Sequence, residues 1–249
     1  MQHTDILNLC EDVANAKSDQ VFWDICAAAL SDVGVSGFGF GIIPHAMDAK
    51  INGFSKAGFF KHTYSPEWAA AISDTSLLDD DITVELIIDG KSEIFWNDPS
   101  LLENARDTQL NSDSLEKDLG MEFGVSMSLG RNAAGSAIAG IGLWAGDVKN
   151  DTSFVRYWQE YQGSLRQISH ILDEGIRGQH GKLLVELTQR ESDCLTYLAV
   201  GLRPADICWR LRISEKTFEK YVRTAKDKLC ANTRDHAIAK ALVLNLIRP

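Results

Sequence analysis

Paired cysteines, long apolar runs and an overall basic charge are all missing from this 249-residue chain. The five cysteines, Cys10, Cys26, Cys194, Cys208 and Cys230, are odd in number and include no Cys-x-x-Cys pair. That excludes a disulfide framework and a zinc site of that type. Cys26 and Cys194 fall on apolar faces, where a free thiol behaves as a small hydrophobe, and a reducing cytoplasm is the compartment this implies. The longest apolar run, Ala137–Ala145, is far short of the ~18–20 residues a membrane helix needs. The opening residues lack the basic and continuous apolar regions of a secretory signal, so no membrane partner is expected. With 35 Asp and Glu against 25 Lys and Arg, the net charge of −10 argues, as an average, against a nucleic-acid partner. The six histidines form no triad or metal spacing. Gly140-x-Gly142-x-x-x-Gly146 lies in and ends a strand, whereas a dinucleotide loop opens a helix. Neither an enzyme nor a cofactor is expected.

What is present falls into two halves. Thr4–Ala16 and Asp19–Val33 read as amphipathic helices, the second closed by Gly34. Ser36–Ile43 alternates small and large residues like a buried strand. Helices follow at Pro66–Ser76 and Thr83–Asp89, a short strand at Ser92–Trp96, and a mostly helical polar stretch at Leu101–Leu119. Two strand-like runs, Phe123–Gly130 and Ser136–Trp144, are split by a hairpin signal at Arg131–Gly135. Asp151–Ile176 reads as one long helix. Helices before, between and after strands predict an α/β/α sandwich over 1–175. The glycines Gly175, Gly178 and Gly181 suit a linker, placed at 176–186. Beyond it, 187–249 reads as helices only, so the fold class is α+β: a layered domain followed by an all-α one.

The charge changes sign between the halves. Residues 183–249 hold 12 Lys and Arg against 8 Asp and Glu, a net of +4, and the rest of the chain carries −14. Thr188-Gln-Arg-Glu191 fits a capping box, and Gly201 suits the left-handed turn that closes a helix. Pro204 suits the start of a second, short helix, and Ser214 the N-cap of a third. On that third helix, about Glu215–Leu229, Phe218, Val222, Ala225 and Leu229 make an apolar stripe, and Lys216, Lys220, Arg223 and Lys226 a basic one. A short helix, a tight turn and a longer helix with a basic exposed face describe a helix-turn-helix, whose second helix enters the major groove. A merely solvated face is the alternative, since Glu219 and Asp227 interleave with the basic residues.

This segment resembles the LuxR-type helix-turn-helix. The resemblance rests on Leu187-Thr-Gln-Arg-Glu191, Leu195, Ala199-Val-Gly201, Asp206-Ile207, Leu211, Ile213-Ser-Glu-Lys-Thr217, Lys228-Leu229 and 237–247, with Pro204-Ala205 in place of the usual Asn-Lys and Tyr221 where His is common. It implies a DNA-binding transcription regulator contacting double-stranded DNA through Lys216, Thr217, Lys220, Tyr221, Arg223 and Lys226. It also implies a fourth helix, Asp235–Leu244, with Ile238, Ala241 and Leu242 inward, that pairs two subunits. A homodimer implies a roughly palindromic site, and RNA polymerase is a further candidate contact.

Residues 1–175 are similar to the autoinducer-binding domain of quorum-sensing LuxR proteins. Tyr64-x-x-x-Trp68, Asp81-x-Thr83, Trp96 and Gly124 stand at that family's spacing. The resemblance implies an N-acyl homoserine lactone as ligand. Trp68 would donate to the lactone carbonyl, Asp81 accept the amide N–H, Tyr64 donate to the acyl carbonyl and Trp96 pack on the ring. The tail would lie among Phe38, Phe40, Ile72 and Ile87. By residue type alone, Trp68 and Trp96 read as core and Asp81 as a helix cap. Ile72 replaces a usual pocket Tyr and Ile82 a usual Pro, which leaves open a non-lactone ligand or a regulator acting without one. A phosphorylated response regulator would need a doubly wound βα repeat, for which this half has too few alternating units.

Overall fold

Small and large residues alternate along Gly37–Ile43 and again along Ile138–Trp144, and this alternation gives the central sheet two unlike faces. The computed structural model describes residues 3–73, 78–131 and 137–249, the side chains of His3, Thr4, Ile72, Ser73 and Arg131 aside. It divides into two units, Met1–Glu174 and Gly175–Pro249.

In the first unit, α1 (His3–Ala14) and α2 (Asp19–Ser31) precede β1 (Gly37–Ile43). Then come α3 (Ala46–Asn52), α4 (Phe54–Ala57), β2 (Phe59–His62), α5 (Pro66–Ser73), α6 (Ile82–Ile88), β3 (Glu93–Phe95) and α7 (Asp107–Asp118). The late strands β4 (Gly124–Arg131) and β5 (Ile138–Trp144) lead into the long helix α8 (Asp151–Gly178). The strands form one sheet in the order β2-β1-β5-β4-β3, with every neighbouring pair antiparallel. That differs from the parallel, doubly wound sheet a phosphorylated receiver would require. The hairpin reading at Arg131–Gly135 falls on residues 132–136, outside the described residues.

Cross-strand register sorts the side chains. Gly39 faces Gly142, Gly41 faces Gly140, and Ser126 faces Gly142, so one face of the sheet centre is almost bare of side chains. The opposite face carries Phe38, Phe40, Ile42, Ile141, Leu143, Val125 and Met127, all buried. Trp23 of α2 packs on Phe38 with ring centroids 4.8 Å apart, and Trp158 of α8 packs edge-on against Phe95 at 5.2 Å. Leu165, Ile168 and Leu172 of α8 are fully buried. On the bare side, Ile87 of α6 packs with Ile94 and Ile138, and Phe54 and Ala57 of α4 pack with Ile43. Helices cover both faces, the expected sandwich.

Three elements go beyond the sequence reading. β2 is a four-residue edge strand without alternation, and α4 is a single turn. In α3 the apolar Met47 and Ile51 are 68% and 72% exposed, so no inward stripe marks it as a helix. The polar stretch at Leu101–Leu119 splits into a 3₁₀ turn, Pro99–Leu102, and α7.

The second unit holds α9 (Gln189–Ala199), α10 (Pro204–Leu211), α11 (Glu215–Lys228) and α12 (Arg234–Val243). Their core joins Cys194, Ile207, Cys208, Phe218 and Val222. The linker reading at 176–186 is corrected: helix continues to Gly178, and a 3₁₀ turn follows at Gly181–Leu183. The reason is packing. Asn245 Nδ2 donates to the carbonyls of Arg177 and Gly178 at 3.0 Å, capping the end of α8. Gly181 lies so near the Leu244 carbonyl that a Cβ would come within 2.6 Å. Its missing side chain allows a close approach rather than free motion.

Candidate ligand cavity and DNA-binding surface

Over the bare face of the sheet lies a cavity of about 100 Å³, walled by α4, α5, α6, α7 and the strands. The glycines of the floor let aromatic rings lie flat on it. A Cβ on Gly39 would come within 2.4 Å of the Phe60 ring and 3.0 Å of the Tyr64 ring. One on Gly124 would come within 2.3 Å of Trp96. Phe60, His62, Tyr64 and Trp68 form a continuous aromatic cluster, with Tyr64 and Trp68 centroids 4.7 Å apart.

Tyr64, Trp68, Asp81, Thr83 and Trp96, singled out from the sequence, all line this one cavity. Ile87 lines it too, whereas the side chain of Ile72 lies outside the described residues. Phe38 and Phe40 do not belong to it. They alternate onto the opposite face of β1, against α2, because successive strand residues point to opposite sides. Their expected place around an acyl tail is therefore corrected.

The polar groups of the wall are tied together. Asp81 caps α6, its Oδ1 accepting from the Thr83 N–H at 2.7 Å, the Thr83 hydroxyl at 2.8 Å and the Val84 N–H at 3.3 Å. Trp96 Nε1 donates to Ser126 Oγ at 2.9 Å, and Ser126 Oγ donates to Thr83 Oγ1 at 3.0 Å. A single directed chain of donors thus runs from Trp96 through Ser126 and Thr83 to the Asp81 carboxylate. Tyr64 donates to the Gly142 carbonyl at 2.9 Å. Burial, then the charges of Glu116 and Asp81, push its phenol well above 10, so it remains a donor. One oxygen of Asp81 caps the helix, as its residue type suggests, while the residue also lines the cavity.

Glu116 of α7 is the residue that sequence reasoning misses. Trp68, only 3% exposed, donates its indole N–H to Glu116 Oε1 at 3.2 Å. Burial, followed by the Asp81 charge, raises the Glu116 carboxyl to about 8, against the bond from Trp68. Asp81 is also raised by burial, against its bonds from Thr83 and Val84. In the sequence, Leu115-Glu116-Lys117 sits in a polar helix without an apolar stripe, which reads as a solvated face. Ser126 and the buried Gln109 and Ser112 are also additions to the site. Ser126 was within reach of register reasoning, since it lies two residues beyond Gly124 on the same face of β4.

In the second unit, the Thr188 side chain accepts from the Glu191 N–H at 3.3 Å and Glu191 accepts from the Thr188 N–H at 2.8 Å, the expected capping box. Glu191 also takes Lys228 Nζ at 2.8 Å, joining the start of α9 to the end of α11. Burial alone would raise this carboxyl, but the Lys228 and Thr188 bonds outweigh it and hold it below the usual range. Gly201 (φ +86°) and Arg212 (φ 55°) supply the left-handed turns after α9 and α10. Ser214 caps α11 by accepting from the Thr217 N–H at 3.2 Å.

Of the residues expected on the DNA surface, Lys216, Lys220 and Arg223 are exposed along one side of α11. Thr217 and Lys226 are half-buried, and Thr217 shares its hydroxyl with Ser214 at 2.9 Å. Tyr221 is half-buried and packs against the core cluster. On α12, Ala237, Lys240 and Ala241 turn inward, Lys240 Nζ donating to the Cys230 carbonyl at 3.1 Å. Leu242 is 43% exposed, a correction to its expected inward place, because the inner stripe runs through 237, 241 and 244. Cys26 and Cys194 are buried, and burial raises their thiols to about 12 and about 11, which keeps them unreactive.

Residues 185–241 match the family model of bacterial regulatory proteins of the luxR family. No curated protein matches the chain. Among solved structures, Escherichia coli SdiA is similar at 14% identity and a TM-score of 0.50, with 99% of each chain covered. SdiA in complex with octanoyl-rac-glycerol is similar at 14% identity and a TM-score of 0.52, covering 98% of this chain and 97% of that one. CepR2 of Burkholderia cenocepacia, described as an N-acylhomoserine lactone dependent LuxR family transcription factor, matches at 14% identity and a TM-score of 0.52 over 68% of this chain and 92% of its own. At such identity these likenesses speak for the fold. Residues 185–241 therefore form a helix-turn-helix domain of the luxR family of bacterial regulatory proteins, within a two-domain fold shared with SdiA.

Proposed function

We propose that the first unit is the sensor and that binding a small molecule in its cavity controls DNA binding by the second. The observation that carries this reading is the cavity itself, a floor of glycines surrounded by Tyr64, Trp68, Asp81, Thr83 and Trp96. The Phe60, Tyr64 and Trp96 rings lie over that floor and about 100 Å³ stays unfilled beside them, which a ligand would complete as part of the core. Each buried CH₂ of an apolar tail would contribute ~0.8 kcal/mol. A ligand that binds only the folded sensor stabilises it by mass action, and differential affinity for two arrangements of the protein is what alters DNA binding.

The lactone reading draws support from the shared placement of Tyr64, Trp68 and Asp81 and from the ligand dependence stated for CepR2. A non-lactone ligand is favoured by Glu116, which already accepts the Trp68 N–H that a lactone carbonyl would need. DNA binding would act through Lys216, Lys220 and Arg223, on a roughly palindromic site contacted by a homodimer paired through α12, where Leu242 is exposed. RNA polymerase remains a candidate contact and the cytoplasm the expected compartment. Thermal stability and DNA affinity of the purified chain, measured with N-acyl homoserine lactones of four to twelve carbons, test the reading. A rise in melting temperature with one chain length supports lactone sensing. No shift at any length selects the non-lactone reading.

A further inference from the structure

The cavity wall is unbalanced in charge. Asp81, Asp113 and Glu116 line it, and no Lys, Arg or His is among the described residues that do. Asp113 is answered by Lys117 at 2.8 Å, one turn along α7. Arg106 is engaged with Glu85 at 3.0 Å and Asp80 at 3.6 Å, and none of its atoms reaches the cavity. Asp81 and Glu116 thus have no cationic partner among the described residues.

Their hydrogen bonds sharpen the point. All three bonds to Asp81 fall on Oδ1, and the one to Glu116 falls on Oε1. Among the described residues nothing donates to Asp81 Oδ2 or Glu116 Oε2. Both carboxyls are half-buried on the cavity wall, close enough that the charge of Asp81 acts on Glu116. Two neighbouring buried carboxylates are costly unless paired with a cation or with donors. No group of three acidic, His or Cys side chains among the described residues is arranged to hold a metal ion, so an organic cation fits the wall better.

We infer that the ligand of this cavity carries a protonated amine at its polar end, held between Asp81 Oδ2 and Glu116 Oε2, with its apolar part over the glycine floor. The inference rests on the proposed role of the cavity as the sensor site and specifies its ligand class. It also makes the site selective against carboxylates, including the hydrolysed form of a lactone, because a negative charge would enter a wall that already holds acidic groups and no cation among the described residues. The raised carboxyl of Glu116 supports the same assignment: it is an acid awaiting a positive neighbour.

Three head groups on butanoyl and octanoyl tails test it: N-acyl ethylenediamine, N-acyl homoserine lactone and N-acyl homoserine. Affinities come from calorimetry on the intact chain at pH 7. The amine is expected to bind at least tenfold tighter than the lactone of equal tail, and the carboxylate more weakly than either. In Glu116→Gln, which keeps an acceptor for Trp68, the preference for the amine should fall to below threefold. Amine binding should also release protons, seen as a heat that depends on the buffer. Equal binding of amine and lactone, or an unaltered preference in Glu116→Gln, overturns the inference while leaving the sensor role standing. Binding of none of the six compounds removes the sensor reading and this one together.

Discussion

Glu116 is both the least expected side chain of the cavity and the one whose protonation leaves a measurable trace. In the unfolded chain its carboxyl has the ordinary value of 4.5, and in the folded one it is about 8. Between these values the folded protein binds a proton that the unfolded one does not, so stability falls as pH rises, by up to ~1.4 kcal/mol per pH unit. Asp81, raised in the same sense, adds to the trend. Burial sets this behaviour first, then the charge of Asp81, opposed by the Trp68 N–H bond, with Asp113 adding to the rise. Urea denaturation of the empty protein at pH 5 through 8 should show the first unit weakening with pH, and Glu116→Gln should flatten that dependence. A steeper loss in the variant would contradict a buried, uncompensated carboxyl.

Among the elements, α11 most clearly joins sequence pattern to task. Its apolar stripe, Phe218, Val222 and Ala225, is buried, and Lys216, Lys220 and Arg223 stand exposed beside it. Replacing Lys220 and Arg223 by Ala should weaken DNA binding and lower the slope of log affinity against log salt by about two, one per lost phosphate contact. Titration of duplex DNA at several salt concentrations measures this, and an unchanged slope would place the contact surface elsewhere. The elements of the second unit were legible because caps, turns and amphipathic spacing agree there: Thr188 and Ser214 cap helices, and Gly201 ends one. In the first unit, β1, β5 and α8 announced themselves by strong periodicity. β2 and α3 did not, since a short edge strand and a helix with Met47 and Ile51 outward carry no period to read. The cavity residues Tyr64, Trp68, Asp81 and Trp96 were found through spacing that matches a family. Glu116 was hidden because burial of a polar helix face depends on what tertiary packing places above it.

At the scale of the whole molecule, the net charge of −10 conceals an acidic half and a basic one. The two compact units, each with its own core, predict two unfolding transitions in calorimetry of the intact chain. Glu191→Ala should lower only the second unit's transition, by ~1–3 kcal/mol. It removes a cap bond to Thr188 and leaves the half-buried Lys228 without its carboxylate. A ligand of the cavity should raise only the first. One transition moved alike by both would mean the units unfold together.

On the proposed sensor reading, the glycine floor also bears on how a new signal is acquired. The nearest neighbours of a Cβ on Gly140 would be the end of Ile87, at 3.1 Å, and the Met127 carbonyl, at 3.4 Å. A single added methyl there would press on Ile87, which lines the same cavity. On that reading, ligand length and ligand charge would be written in separate alphabets. Length would be set by atoms that the strands omit and charge by the Asp81 and Glu116 carboxyls, so that each could change without the other.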